Sequence, residues 1–437
     1  GHRIGPYRVQ LSMATGTHRS RIALASATLA CLSVATSALA QAGGGSHAGM
    51  DHDSSSHAND SLYSLGARGI ALATVASPAL NGRSAREGYL TQPMLMGRFN
   101  PAGGRVVVEA MVNFEGLTLE RGELNAGIYG EGYVDRRHPH TYLHELVATL
   151  TGEVKSSRFS ITVGKGFVAF GTDDPMSRPF VKYPLNHHLA QILERAVVSG
   201  AVRYGPLSME LARFNGDEPE SPGDFPNGKR LWDSWAVRGT LLPRAGWELQ
   251  TSVAEVKSPE VAQGGGLDQR KLSASLRYQP ASTRYGLVEW ARTADRESGR
   301  TAFAFASALA EGAISRGRVT IAVRAERTER PEEERLGDLF RTPRPHSDFN
   351  ILGRTRWDVL TGGISADVLR KRPWIVAPFI EVSTQHASSI ARPAVFDPRE
   401  FYGASRLWSF SAGVRLAAGM LHSRMGRYGA AVADHRN

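Results

Sequence analysis

One cysteine occurs in the 437 residues, Cys31, and it lies inside an N-terminal export signal, so the exported chain carries none. A disulfide-stapled secreted domain is thereby excluded, whereas a barrel closed by a continuous backbone ladder needs no staple. Apolar runs are scarce as well. Hydrophobic residues make up 41% of the chain and the mean hydropathy is −0.26, which rules out a bundle of membrane-spanning helices. A β-barrel stays compatible, because half of each strand faces a wet lumen. Acidic residues are the minority, 42 against 52 basic. The positive charge is scattered rather than clustered, so no nucleic-acid partner is read. Gly164-Lys165-Gly166 is followed by no helix and Gly264-Gly265-Gly266 is a loop tip, so neither is a phosphate cradle.

What is present begins with an export signature. Gly1 to Ser12 read as upstream of a start at Met13, after which Arg19 and Arg21 precede the Ala/Leu-rich run 22–39 and the small-residue site Ser37-Ala38-Leu39-Ala40. This is the order of a secretory signal. Removing residues 1–42 takes away four arginines and no acid, leaving 48 basic against 42 acidic residues, +6 rather than +10. Residues 43–88 read as a flexible segment rich in Gly, Ser and His.

From there the sequence alternates. Trp408, Phe410, Ala412, Val414 and Leu416 share one parity, and Ser409, Ser411, Gly413 and Arg415 the other. The two-residue period is that of a strand with one apolar and one polar face. The same grammar recurs from about residue 105 to 418 in segments of about ten residues, the length that crosses a bilayer when tilted, and Tyr89 to Phe99 read as a plug-like or first-strand segment that opens a barrel over 89–418. Short connections at 155–157, 205–206, 243–246, 280–283, 315–317 and 370–373 alternate with long ones at 115–142, 168–188, 216–232, 258–267, 329–347 and 386–404. The expected fold is all-β: a transmembrane antiparallel up-and-down barrel of about 14 strands (range 12–16), with residues 419–437 as a C-terminal tail.

In this layout the chain resembles bacterial outer-membrane porin-like proteins, loosely those of the phosphate-selective type, over roughly residues 90–418. The resemblance implies the cell outer membrane and a passive channel for small hydrophilic solutes. It also implies as partners outer-membrane lipid, the solutes or anions, the barrel-assembly machinery and further copies of the chain. No cofactor and no catalytic residue is expected. Lys271, Arg277, Arg318, Arg324 and Arg415 alternate with apolar residues assigned to lipid, so they should point into the lumen and give a modest anion preference.

Two histidine groups offer a different reading. His138, His140 and His144, with His187-His188 in the next long segment, supply imidazoles that could hold Zn or Cu, against the plainer reading of a hydrogen-bonded network inside the lumen. His47, His52 and His57, near Met50, resemble the Met/His-rich tails of copper-resistance outer-membrane proteins, so a copper-handling protein is the alternative. A lipase-type enzyme would need a serine beside one of these histidines, and the sequence singles none out.

Overall fold

The computed structural model describes residues 61–77, 85–119, 140–333, 351–371, 373–390, 397–420 and 424–432. The export signal, the tract bearing His47, His52 and His57, and His138 lie outside the described residues.

Seventeen strands are described. They are β1 (Tyr63–Ser77), β2 (Ala85–Phe99), β3 (Val106–Asn113), β4 (Leu143–Val154), β5 (Ser157–Gly166), β6 (Arg195–Tyr204), β7 (Leu207–Phe214), β8 (Ser234–Leu241) and β9 (Trp247–Val256). Then follow β10 (Asp268–Ala281), β11 (Arg284–Glu297), β12 (Arg300–Arg316), β13 (Val319–Glu333), β14 (Ile351–Ala366), β15 (Leu369–Lys371), β16 (Trp374–Ser389) and β17 (Arg406–Gly419). Apart from β14 with β15, each pairs antiparallel with the next in sequence, and β17 returns to β1 with Gly66 opposite Gly419 and Ser77 opposite Trp408. β14 pairs directly with β16, and the three-residue β15 only prolongs that hairpin, so 16 strands form a closed barrel. Among the described residues no helix is long and apolar enough to cross a membrane.

Alternation puts the apolar parity outside. In β7, Leu207, Met209 and Leu211 are 48%, 44% and 56% exposed, while Ser208, Glu210, Ala212 and Phe214 are buried. In β13, Val319, Ile321 and Val323 face out while Arg324, Glu326 and Thr328 are buried. β17 behaves alike, with Trp408 and Phe410 outside and Ser409 and Ser411 inside. A face this continuously apolar belongs in hydrocarbon, not water.

Four expectations are corrected. The barrel has 16 strands, not about 14, and it starts at Tyr63 rather than at residue 89. The strand that the sequence concealed is β1, and β2 was legible only from Tyr89; the inner faces of both are partly apolar. Ile70 and Leu72 pack on Val181 and Phe379, and Met94 and Met96 on Met176 and Tyr183, so polar alternation is blurred there. The sorting of connections is also not strict: β11 joins β12 through Ser298-Gly299 on the rim that otherwise carries the long loops. Finally, residues 424–432 are not an outlying tail but fold back inside the barrel.

Two outcomes follow from this arrangement. Epitope tags in 216–232 and 258–267 should be reached by antibody on intact cells, and tags at 155–157, 243–246 or 280–283 only after permeabilisation. Ile321→Arg, which puts a charge on the lipid face, should cost about 2–4 kcal/mol of folding stability near mid-depth, measured by urea titration in lipid vesicles.

Candidate functional site: the filled lumen

The connection from β5 to β6, residues 167–194, leaves the wall and crosses the interior. Gly171 makes the entry possible: its φ of +75° suits glycine, and a Cβ there would lie 1.9 Å from the carbonyl oxygen of Ala190. Its N–H donates to Ser252 Oγ at 3.0 Å. One flank of the segment is dry, with Val168, Ala169, Phe170 and Ile192 packed on Val197, Ala212, Phe214, Ala236, Ala254 and Val256 of β6–β9. The other flank is polar. Arg178 meets Glu289 at 3.1 Å and Glu311 at 3.7 Å, and Asn186 Nδ2 donates to Glu289 at 2.8 Å. The backbone N–H groups of Lys182 and Leu185 donate to Glu381 and Glu326 at 3.2 and 2.8 Å, and Lys182 Nζ donates to the Tyr89 hydroxyl. Buried charges demand such partners.

Residues 424–432 fill the opposite, short-turn half. Arg424 bridges Asp173 at 2.8 Å and both Glu248 oxygens at 2.9 Å. Arg427 reaches Glu248 at 2.8 Å and Thr240 Oγ1 at 2.8 Å. The Tyr428 hydroxyl donates to Glu145 at 2.9 Å and accepts from the Phe167 N–H at 3.0 Å. Burial works against the charge of Asp173, but Arg424, Arg277 and Arg427 hold its carboxyl well below the usual range. Burial, reinforced by Glu145, pushes the Tyr428 hydroxyl up.

Of the five basic residues expected in the lumen, four point inward and are held there. Arg277 pairs with Asp173 at 2.7 Å, and Arg324 with Glu311 at 2.7 Å while also donating to the Lys182 carbonyl at 2.8 Å. Arg415 donates to the Pro179 carbonyl and lies 3.8 Å from Glu381, and Lys271 Nζ donates to the His188 carbonyl at 2.8 Å. Arg318 does not belong to this set. It sits exposed on the β12–β13 turn, one residue before β13 begins, so the strand alternation does not reach it.

The histidines converge at the long-loop end. A bulge in β4 sets Glu145 opposite Met111 and Leu143 opposite Val112, so His144 is the extra residue, turned inward beside Glu145. The His140 and His144 ring centroids are 5.1 Å apart, and His187 lies 6.4 Å from His140. His188 is half-buried beside His187 at 5.3 Å. Two carboxylates that sequence reading passed over complete the group. Glu115 accepts from Gln92 N at 2.6 Å and Thr91 Oγ1 at 2.9 Å and pairs with His140 Nδ1 at 2.7 Å. Glu194 pairs with His144 Nδ1 at 2.8 Å and Lys165 at 3.2 Å. Burial opposes charge on both members of the Glu115–His140 pair, yet their mutual attraction lowers the carboxyl to about 2 and raises the imidazole to about 9. His187 is instead pushed well below its usual value, first by burial and then by His188 and His140. Nothing in the spacing of Glu115 and Glu194 marks them, since each is brought in by tertiary pairing.

A closed 16-stranded antiparallel barrel with an apolar outer belt has the strand number and outer face of outer-membrane porins. Among solved structures the chain is similar to OprB of Pseudomonas putida, with 8% identity, 84% of this chain and 96% of that one covered, and a TM-score of 0.50. The outer-membrane channel DcaP of Acinetobacter baumannii (9%; 82% and 96%; 0.48) and an anion-selective porin from Comamonas acidovorans (11%; 81% and 99%; 0.47) are more distant in fold. No family model and no curated protein matches the sequence. In fold, this is a porin-like outer-membrane β-barrel.

Arg324, buried and paired, and Arg318, exposed on a turn, should therefore behave differently. Arg324→Gln breaks a buried pair and should lower stability by about 3–5 kcal/mol. Arg318→Gln, on the exposed turn, should stay within about 0.5 kcal/mol of the parent. The temperature at which the folded band is lost on gels without boiling reads both.

Proposed function

We propose that the chain is a channel through which small hydrophilic solutes cross the outer membrane by diffusion, with residues 167–194 setting the constriction. The observation that carries this reading is the two-sidedness of the inserted segment. Against β6–β9 it packs dry, which excludes water. Against Tyr89, Glu326, Glu381 and Arg415 it is held by hydrogen bonds to polar side chains. Solutes pass along that polar seam, exchanging their hydration for the groups that line it. Its charge preference is toward anions but small. Arg277 and Arg324 are each matched by a carboxylate and Arg415 lies near one, so their field is largely cancelled. What remains is the long-range bias of a chain that is +6 once residues 1–42 are removed, and salt screens it.

In planar bilayers the purified barrel should conduct in small steps, with a reversal potential displaced slightly to the anion side in asymmetric KCl and moving toward zero as salt rises. Replacing residues 173–187 by a Gly-Ser linker should raise the step size several-fold in a barrel that still resists heat. A folded parent and a folded linker variant that both fail to conduct would sink the channel reading.

A further inference from the structure

We propose that His140, His144 and His187 together bind one divalent first-row transition-metal ion, which clasps the inserted segment to the barrel wall. The inference concerns a binding site and stands whether or not the barrel conducts.

The three imidazoles come from separate stretches: the entry to β4, the bulge within β4, and the helical turn His187–Ala190 of the inserted segment. Two imidazoles on one tetrahedral ion, with metal–nitrogen bonds of about 2.0–2.1 Å, place their ring centroids about 5–5.5 Å apart. His140 and His144 already stand at 5.1 Å, and the His140–His187 pair, at 6.4 Å, closes to this spacing with a shift of about 1 Å.

The unsatisfied atoms point to a ligand. His144 is 0% exposed and its Nε2 has no hydrogen-bond partner; His187 is 2% exposed and neither ring nitrogen has one. Buried ring nitrogens without partners are rare and call for an explanation. Asp174 Oδ2 is also buried and without a partner.

The support around the rings has the form that metal ligands usually have. Glu115 holds His140 at Nδ1 and Glu194 holds His144 at Nδ1, each at under 3 Å, which fixes ring orientation and leaves Nε2 of both for the ion. One donor atom each from His140, His144 and a Glu194 carboxylate lie within 4.8 Å of one another, and His187, outside that group, has to close on it. Strained backbone sits at both carboxylates: Glu194 has φ +53°, and Gln92, whose N–H donates to Glu115, has φ +52°. The ion takes the place of the proton on His140 Nε2, while Nδ1–H stays on Glu115. A nitrogen-rich set without thiolate suits Zn²⁺, Co²⁺, Ni²⁺ or Cu²⁺ rather than Ca²⁺ or Mg²⁺.

The test uses the full chain, folded in detergent, with His47, His52 and His57 replaced by Ala so that the N-terminal tract cannot contribute. After chelator treatment and dialysis it is titrated with Co²⁺, followed by visible absorption, and then with Zn²⁺ in competition. One Co²⁺ per barrel should bind with the intense absorption of a four-coordinate site, and Zn²⁺ should displace it. His144→Ala and His187→Ala should each weaken binding by about 100-fold or more, and Glu194→Gln by about 10–100-fold. His188→Ala should change it less than about twofold. If His144→Ala fails to fold, His187→Ala, on the inserted segment rather than the wall, carries the test. The proposal is overturned if the folded tail-substituted protein binds no stoichiometric Co²⁺, or if folded His187→Ala binds as tightly as the parent.

Discussion

Closure of β17 on β1 is the constraint from which the other features descend. Hydrocarbon offers no partner to an unpaired N–H or C=O, so a sheet can sit in a bilayer only if it has no edge. Sixteen strands meet that condition with every ladder antiparallel, and both ends of the barrel fall on the rim that carries the short turns. Because the side-chain period is two, closure also decides the other face. Once the apolar parity meets lipid, the polar parity has nowhere to go but inward.

An interior lined with Glu, Arg, Lys and Thr is stable only if those groups are hydrated or paired. Here the pairing comes from two insertions. Residues 167–194 bring Arg178 to Glu289 and Asp173 to Arg277, and residues 424–432 bring Arg424 and Arg427 to Glu248. Neither insertion packs as a purely polar object. The dry contact on β6–β9 and the cluster of Met94, Met96, Met111, Phe167, Met425 and Tyr428 anchor them through burial, leaving directional contacts to fix their register.

The histidine cluster lies where three features intersect: the bulge that turns His144 inward, the loop that carries His140 to Glu115, and the inserted segment that carries His187. Each is a departure from regular barrel geometry, and departures of this kind persist where the surroundings overdetermine them. The cluster links the barrel wall to the inserted segment.

What the sequence by itself determined is the part governed by local period. Alternation in β7, β13 and β17, and the sorting of most connections by length, identify an antiparallel barrel with its apolar face outward. Where the inner face became apolar the signal failed, because β1 and β2 cover Val181 and Met176 and so show no polar parity. The lumenal placing of Arg277, Arg324 and Arg415 was legible, but their partners were not: Asp173, Glu311 and Glu381 stand 104, 13 and 34 positions away. Likewise His140, His144 and His187 were visible as candidates, while Glu115 and Glu194, which hold two of them, were not. Periodicity fixes which way a side chain points, since that follows from backbone geometry one residue at a time. Only tertiary structure decides what it meets, since that follows from which distant segment fills the closed interior.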